Sequence, residues 1–449
     1  MMMGGWRETT LGEVCDEVNG IIQTGPFGSQ LHQSDYSEVG IPVVMPKDII
    51  EGRIASDTVA RVSSEHVERL SRHKLRSGDI VYGRRGDIGR QALIRPEQAG
   101  WMCGTGCLRL SLGDEVLDPF FLHYYLRQDD VVGWITNQAV GATMPNLNTG
   151  ILRSVPVRFP PLLVQQRIAG ILSAYDELIE NSQRRIRILE SMARTLYREW
   201  FVHFRFPGHD APSSPTLLPE GEGSKTPPSP SGRGAGGEGT PPRVPSHLGE
   251  IPQGWEVKKL KDVAHVNRAQ INARTAPDEL HYIDISSVSP GQIDSVTTYA
   301  FADAPGRARR IVQHGDVLWS CVRPNRRSHA QVMHPDANTI ASTGFAVLSA
   351  MKVPFTFLYF ATTTDDFVTF LANNATGAAY PAVSGATFEK AELLIPSQPL
   401  LKRFGEATIP MAEQIHTLQR QTQNLRRTRD LLLPRLLSGQ IDVEAIANA

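Results

Sequence analysis

The chain has almost no net charge, few cysteines and no long apolar run. Lys and Arg total 46 against 47 Asp and Glu, so the formal charge is −1 and there is no global basic field. Any contact with nucleic acid has to come from local clusters. The four cysteines, Cys15, Cys103, Cys107 and Cys321, show no disulfide framework. The pair in CGTGC has no nearby His or further Cys at the spacing a zinc site needs, so no metal is expected there. No segment is apolar for long enough to span a bilayer and no secretory leader opens the chain. No membrane partner is therefore expected, and the cytoplasm is the expected location. The usual catalytic signatures are missing as well: no P-loop, no H-E-x-x-H, no G-x-S-x-G. The 13 histidines are scattered, none at metal-ligand spacing from Cys or carboxylates. With no recognisable nucleophile, metal or cofactor motif, neither catalytic residues nor cofactors are expected of this chain by itself.

One absence is informative in the other direction. Between Pro161 and Pro207 there is no proline and only one glycine, Gly170. From Tyr175 the apolar or small residues fall alternately four and three apart: Tyr175, Ile179, Ser182, Ile186, Leu189, Ala193, Leu196 and Trp200. That spacing predicts one stripe along a helix on the order of 60 Å long. Arg184, Arg185, Arg187, Glu190, Arg194 and Arg198 fall on the opposite, solvated face. A helix of this length cannot bury its stripe against itself, so it needs a partner. The same spacing returns at Met411, Ile415, Leu418, Thr422, Leu425, Arg429, Leu432 and Leu436. Thr422 and Arg429 interrupt the second seam, which costs stability but can fix register. Pro410 is expected to start or kink this helix and Pro434 to disrupt its last turn.

The rest of the chain is also repeated. GWRETTLGEVCDEV is echoed by GWEVKKLKDVAHV, SGDIVYGRRG by HGDVLWSCVRPN, TGCLRL by TGFAVL, and NQAVGATMP by NNATGAAYP. Gly78 to Ile94 predicts two strands joined at a glycine-containing turn, and GCLRLSL a further strand. DPFFLHYYLRQDDVVGWITN predicts one helix with Asp and Pro at its start. The acidic pairs Asp129/Asp130 and Asp365/Asp366 lie near helix ends and are expected to be solvated. Between the repeats, residues 207–252 are dominated by Pro, Gly, Ser and Glu, which predicts a disordered linker. A formal G-x-G-x-x-G at Gly232 to Gly237 has neither a strand before it nor a helix after it, so no nucleotide site is expected.

Two recognition surfaces are the candidates that remain. In the first repeat they comprise Lys47, then Arg84, Arg85 and Arg90 around the glycine turn, with Thr143 and Asn146 in a polar loop that also carries Asn148. In the second they comprise Arg310, then Arg323, Arg326 and Arg327 beside Asn325, with Tyr380 in the counterpart of the polar loop. Arg suits guanine edges and phosphate, and Asn suits adenine, so loops rich in both can read a duplex. Arg runs are commonly solvated surface; their recurrence in both repeats favours DNA.

TGPFGSQL (Thr24 to Leu31), GDIVYGRRGDIGR, GATMPNLN, the junction from FPPLLVQQRI to WFVHFRF, IPQGWEVKKLKDV and the terminal LLLPRLLSGQIDV together resemble the DNA-specificity subunit of Type I restriction–modification systems. The resemblance covers nearly everything except the Pro/Gly stretch. It implies an α+β fold with two tandem mixed α/β target-recognition domains. Each is followed by a long helix, and the two helices pack as an antiparallel coiled coil. The corresponding segmentation is 1–160, helix 161–206, linker 207–252, second recognition domain 253–396, and helix with tail 397–449. The resemblance further implies a non-catalytic subunit that binds double-stranded DNA at a two-part target. Two methyltransferase subunits and, in a full complex, restriction subunits would be its partners. The family usually has a short connection where this chain has its linker. Two other readings stand beside this one: a coiled-coil adaptor without sequence-specific DNA binding, and an enzyme with an unrecognised site.

Overall fold

The structure is a computed structural model that describes residues 5–86, 88–139, 146–207, 243–246 and 249–443. It divides into two compact units, Met1–Ser182 with Gln421–Ala449, and Gln183–Arg420. Thr143 and residues 208–242, most of the Pro/Gly stretch, lie outside the described residues.

In the first unit the chain starts as a strand, Arg7–Thr10, that runs antiparallel to Pro156–Phe159 just ahead of the long helix. Between them lie two four-stranded sheets. One is antiparallel, in the order Ile21–Thr24, Cys107–Ser111, Ile80–Gly83, Gln91–Leu93. In the other, the order is Met102–Cys103, Ile41–Val44, Ala60–Val62, Tyr36–Ser37, with the first pair parallel. The strand alternation explains why the glycine-turn segment reads as a nearly unbroken apolar run. Ile80 and Tyr82 face the helices, packing with Phe121, Leu122 and Ile168, while Val81 faces the opposite core with Val44 and Ala92. Both faces of the strand are buried, which favours apolar side chains on each.

The second unit repeats this plan. Its antiparallel sheet runs Ala264–Val266, Phe345–Ala350, Val317–Ser320, His329–Gln331. Its mixed sheet runs Thr297–Ala300, Glu279–Ile283, Thr339–Ser342, Ala308–Ile311, with the middle pair parallel. Glu256–Lys259 pairs with Glu392–Ile395, as Arg7–Thr10 does with Pro156–Phe159. The antiparallel sheet and the closing strand pair thus repeat, while the mixed sheets share the parallel pair and one neighbour and differ in the fourth strand, Tyr36–Ser37 in one and Ala308–Ile311 in the other.

Two long helices, Leu162–Tyr197 and Gln398–Leu437, each contribute to both units. In the first unit Ile168, Ala169 and Leu172 share a core with Leu436 and Leu437, and Asp176 meets Arg429. In the second unit Tyr197, Trp200 and Phe201 surround Phe404, with ring centres 6.1, 6.0 and 4.9 Å away. In the first unit rising numbers on one helix meet falling numbers on the other, and in the second Glu190 and Arg194 line a cavity with Ile415 and Gln419 while Tyr197 to Phe201 meet Phe404, so the packing in each is antiparallel. Every residue of both heptad seams is buried or half-buried.

Several local expectations need correction. The second helix begins at Gln398, ahead of Pro410, and runs through both Pro410 and Pro434. Each proline removes one backbone donor, but apolar packing on both sides holds the helix together: Phe404 and Leu418 flank Pro410, and Leu436 and Leu437 follow Pro434. The stretch from Asp118 is two helices, Pro119–Tyr125 and Asp129–Gln138, the first capped by Asp118 accepting from the Phe121 N–H at 2.8 Å. Asp129/Asp130 and Asp365/Asp366 are, as expected, exposed at helix ends, in first turns where their charge complements the helix dipole. Arg243–Ser246 pairs with Gly249–Pro252, so the end of the stretch expected to be linker carries strand. Glu190 is half-buried, and burial, partly offset by Arg194 and Arg187, raises its pKa.

Candidate nucleic-acid interface

Each unit builds its candidate surface from the same two loops. In the first, Ile80–Gly83 and Gln91–Leu93 form a hairpin whose connection carries Arg84, Arg85 and Arg90. The segment at Asn146 docks on this connection as a one-residue strand, Arg85 bridging to Asn146. Leu147 donates its backbone N–H to Arg84 O at 2.9 Å, and the Arg84 guanidinium donates back to Leu147 O at 3.3 Å. Arg84 is thereby half-buried and committed to positioning the second loop, whereas Arg85 is exposed.

Two further loops meet this pair. Arg84 donates its N–H to Gly106 O at 2.8 Å. Pro46 lies so close that a Cβ on Gly106 would stand 3.4 Å from its ring, and one on Gly83 3.5 Å from it. Lys47, next to Pro46, is exposed at this junction, while buried Asp48 accepts from the Met45 N–H and closes the turn. Arg90, also exposed, borders a cleft with Glu51, Gly52 and Arg127. Asn148 plays a structural part, since its side chain accepts from the Ile151 N–H and caps the helix Thr149–Arg153.

The second unit reproduces the arrangement with different side chains. The connection between Val317–Ser320 and His329–Gln331 docks on a loop closed by paired backbone hydrogen bonds between Thr376 and Ala382. Val322 bridges to Ala382, and Arg323 donates its N–H to Pro381 O at 2.7 Å. Tyr380, 70% exposed, is carried by this loop. The Arg323 guanidinium lies over its ring, 4.7 Å from the centroid, and also donates to Ala379 O at 3.2 Å. Arg323 and Arg327 both have left-handed backbone, φ 49° and 56°, a conformation that non-glycine residues rarely adopt outside functional or tightly determined turns.

The candidate arginines therefore divide. Arg85, Arg90 and Arg326 are exposed, and Arg323 is stacked on an exposed aromatic ring. Arg327 forms an ion pair with Asp365, which ties the loop to the helix Asp365–Asn373. Arg310 is not carried by these loops, but it comes close enough to interact with Cys321 at the start of the second connection. It belongs to the strand Ala308–Ile311, its Nε is buried without a partner among the described residues, and burial, partly offset by Cys321, lowers its pKa. The sequence reading also passed over Phe27. It is 57% exposed in the TGPFG segment, whose Gly25 packs against Gly104 in the turn that leads to Gly106. An exposed aromatic beside two glycines was the signal available for it.

Buried thiols take no part in this surface. Burial pushes Cys103 up to about 12 and Cys107 well above its ordinary value. Among the described residues no helix is long and apolar enough to cross a membrane.

Comparison with known proteins agrees with this architecture. Residues 3–191 match the family model for the Type I restriction modification DNA specificity domain. The Type I restriction enzyme MjaIX specificity subunit of Methanocaldococcus jannaschii is 23% identical, over 90% of this chain and 88% of that protein. The HindI specificity subunit of Haemophilus influenzae is 20% identical, over 98% of this chain and all of that protein (100%). Among solved structures, the Type-I restriction-modification S subunit from M. genitalium superposes with a TM-score of 0.58 at 14% identity, covering 97% of each chain. In its matched specificity domain and along nearly its whole length, the chain is thus similar to the specificity subunits of Type I restriction–modification systems.

Proposed function

We propose that this chain reads an asymmetric, bipartite DNA sequence, each half-site by one of the two loop pairs. The supporting observation is the same backbone construction occurring twice with different side chains: Arg85 against Asn146 in one unit, Arg323 with Tyr380 in the other. Shared construction suits a shared role, and unlike side chains suit unlike half-sites. Arg85, Arg90, Asn146, Arg323, Arg326 and Tyr380 are the proposed contact residues, with Lys47 at the phosphate backbone and Thr143 in the polar loop of the first repeat. Arg84 and Arg327 are proposed as positioning residues.

The chain is a non-catalytic subunit of its complex in this reading and acts in the cytoplasm. Methyl transfer and cleavage come from separate subunits, and two methyltransferase subunits dock on the duplicated architecture because a repeat offers two similar surfaces. The segmentation into recognition domains at 1–160 and 253–396, long helices from 161 and 397, and a tether between them belongs to the same proposal. The test is to express the chain with its methyltransferase and map methylated bases. A two-part motif that disappears with the chain supports the reading. Robust methylation by the purified chain alone contradicts it.

A further inference from the structure

We propose that the second unit carries a binding site for a divalent transition metal ion of the Zn²⁺ type, formed by His314, His334 and Glu413. Three elements far apart in sequence bring these side chains together. His314 lies in the turn after the strand Ala308–Ile311, His334 follows the strand His329–Gln331, and Glu413 projects from the helix Gln398–Leu437. The candidate donor atoms of the three residues lie within 4.8 Å of one another. His334 Nε2 is 2.7 Å from one Glu413 carboxylate oxygen, and His314 Nε2 is 3.7 Å from the other. Two ligands on a tetrahedral ion with bonds of about 2.0–2.1 Å stand roughly 3.4 Å apart, so only small side-chain rotations close the set.

The turns are held in place independently of any ion. Gly315 donates to Val332 O and Val332 to Asp316 O, both at 2.8 Å, which clamps the His314 and His334 segments side by side. His334 is held at φ 44°, left-handed backbone that a bulky residue rarely occupies. The two imidazole ring centres are only 4.4 Å apart, and that of His416, one turn beyond Glu413 on the same helix, is 5.5 Å from His334. Two imidazoles and a carboxylate form a donor set suited to Zn²⁺ and poorly suited to Mg²⁺ or Ca²⁺, which take oxygen ligands.

One contact changes on binding. The His334 backbone N–H donates to His314 Nδ1 at 3.3 Å, so ligation through Nε2 moves that ring's proton to Nδ1 and gives up this long hydrogen bond. With His314 and Glu413 at 38% side-chain exposure and His334 at 53%, the ion reaches the site from solvent and retains water as a further ligand. Bound metal would fasten the long helix to the sheet edge of this unit. This inference is independent of the DNA-reading proposal.

The experiment is calorimetry of the full chain, stripped with chelator, against Zn²⁺ and against Mg²⁺, with thermal unfolding followed in parallel. One Zn²⁺ per chain, no Mg²⁺ binding at the same concentration, and a higher unfolding temperature with Zn²⁺ are expected. Changes in the outer shell of metal sites alone weaken affinity by about 10–100-fold, and His334→Ala and Glu413→Gln should each weaken Zn²⁺ by at least that much. His32→Ala, in the other unit, should leave Zn²⁺ affinity unchanged. Because the ligands are at least partly exposed, the variants should keep the circular dichroism spectrum of the parent. Zn²⁺ affinity unaltered in both ligand variants, or no Zn²⁺ binding by the parent chain, overturns the proposal.

Discussion

Arg429 on the second long helix donates a 2.5 Å hydrogen bond to the carboxylate of Asp176 on the first, and Tyr124 O–H donates to the same carboxylate at 2.8 Å. Arg429 interrupts an otherwise apolar seam, and its partner sits one residue beyond the seam position Tyr175. The pair is nearly buried, with side-chain exposures of 16% and 9%. A charge pair at that depth contributes little net stability, but it penalises any shift of one helix along the other, because a shift leaves both charges buried alone.

Removing one partner should therefore be costly. Arg429→Ala leaves Asp176 with the Tyr124 hydrogen bond and the weaker charge of Arg127, and is expected to destabilise the first unit by roughly 3 kcal/mol. Chemical denaturation of the full chain, followed by a probe in this unit, measures it. A loss below about 0.5 kcal/mol would mean that water solvates Asp176 and that the pair does not set register.

The same pair makes a pH prediction. Burial opposes ionisation of Asp176, but the Arg429 hydrogen bond and charge, with Tyr124, hold its pKa below the usual carboxylate value. A depressed folded pKa stabilises the fold above the unfolded pKa, near 3.9, and the contribution disappears as pH falls through the folded value. Arg429→Ala lacks this acid-labile contribution, so its stability deficit at neutral pH should shrink as pH falls below about 4. A deficit that stays constant through the acid range would show that the pair is not linked to protonation of Asp176.

The two glycine–aspartate turns should respond oppositely to substitution. Asp79 accepts from the buried guanidinium of Arg109 at 2.7 Å, whereas the repeat places Val347 where Arg109 stands. Asp79→Asn strands Arg109 and is expected to cost about 3–5 kcal/mol. Among the described residues Asp316 has neutral hydrogen-bond partners with weaker help from Arg268 and His314, and burial raises its pKa. Asp316→Asn, which can still accept from the Gln313 N–H, should be neutral or stabilising near pH 7. Its parent carboxyl favours the fold at low pH, and that benefit falls as pH rises from the unfolded toward the folded pKa. Equal destabilisation by both variants would contradict the assignment.

Among the reading loops, Arg85→Ala should relax specificity at one position of one half-site, with a loss of about 1–3 kcal/mol at the preferred base. Arg84→Ala should weaken that half-site whatever its sequence, because it loosens the docked loop. Tyr380→Phe should preserve the stack with Arg323, while Tyr380→Ala should weaken only the other half-site, by about 0.5–2 kcal/mol. Binding titrations against single-base variants of the mapped target separate these outcomes. Uniform weakening by Arg85→Ala would reassign it to phosphate.

Much of the architecture was legible because it repeats. Matched heptads and paired motifs pointed to the two helices and to two halves that share an antiparallel sheet and a closing strand pair. What escaped depends on partners distant in sequence. Arg310 and Arg327 resemble Arg323 as letters, yet one is enclosed by a strand and the other is taken up by Asp365. Pro410 breaks an isolated helix but not one packed on both sides of it. His314, His334 and Glu413 have no shared spacing, so only the fold unites them.

The most direct measurement is genome-wide mapping of methylated bases in cells that carry the methyltransferase with this chain, with its Arg85→Ala variant, with its Arg326→Ala variant, or with none. Two independent readers give a non-palindromic, two-part motif that vanishes without the chain, with each variant relaxing a different half. A motif that persists without the chain, or two variants that relax the same half, would contradict two readers on one subunit.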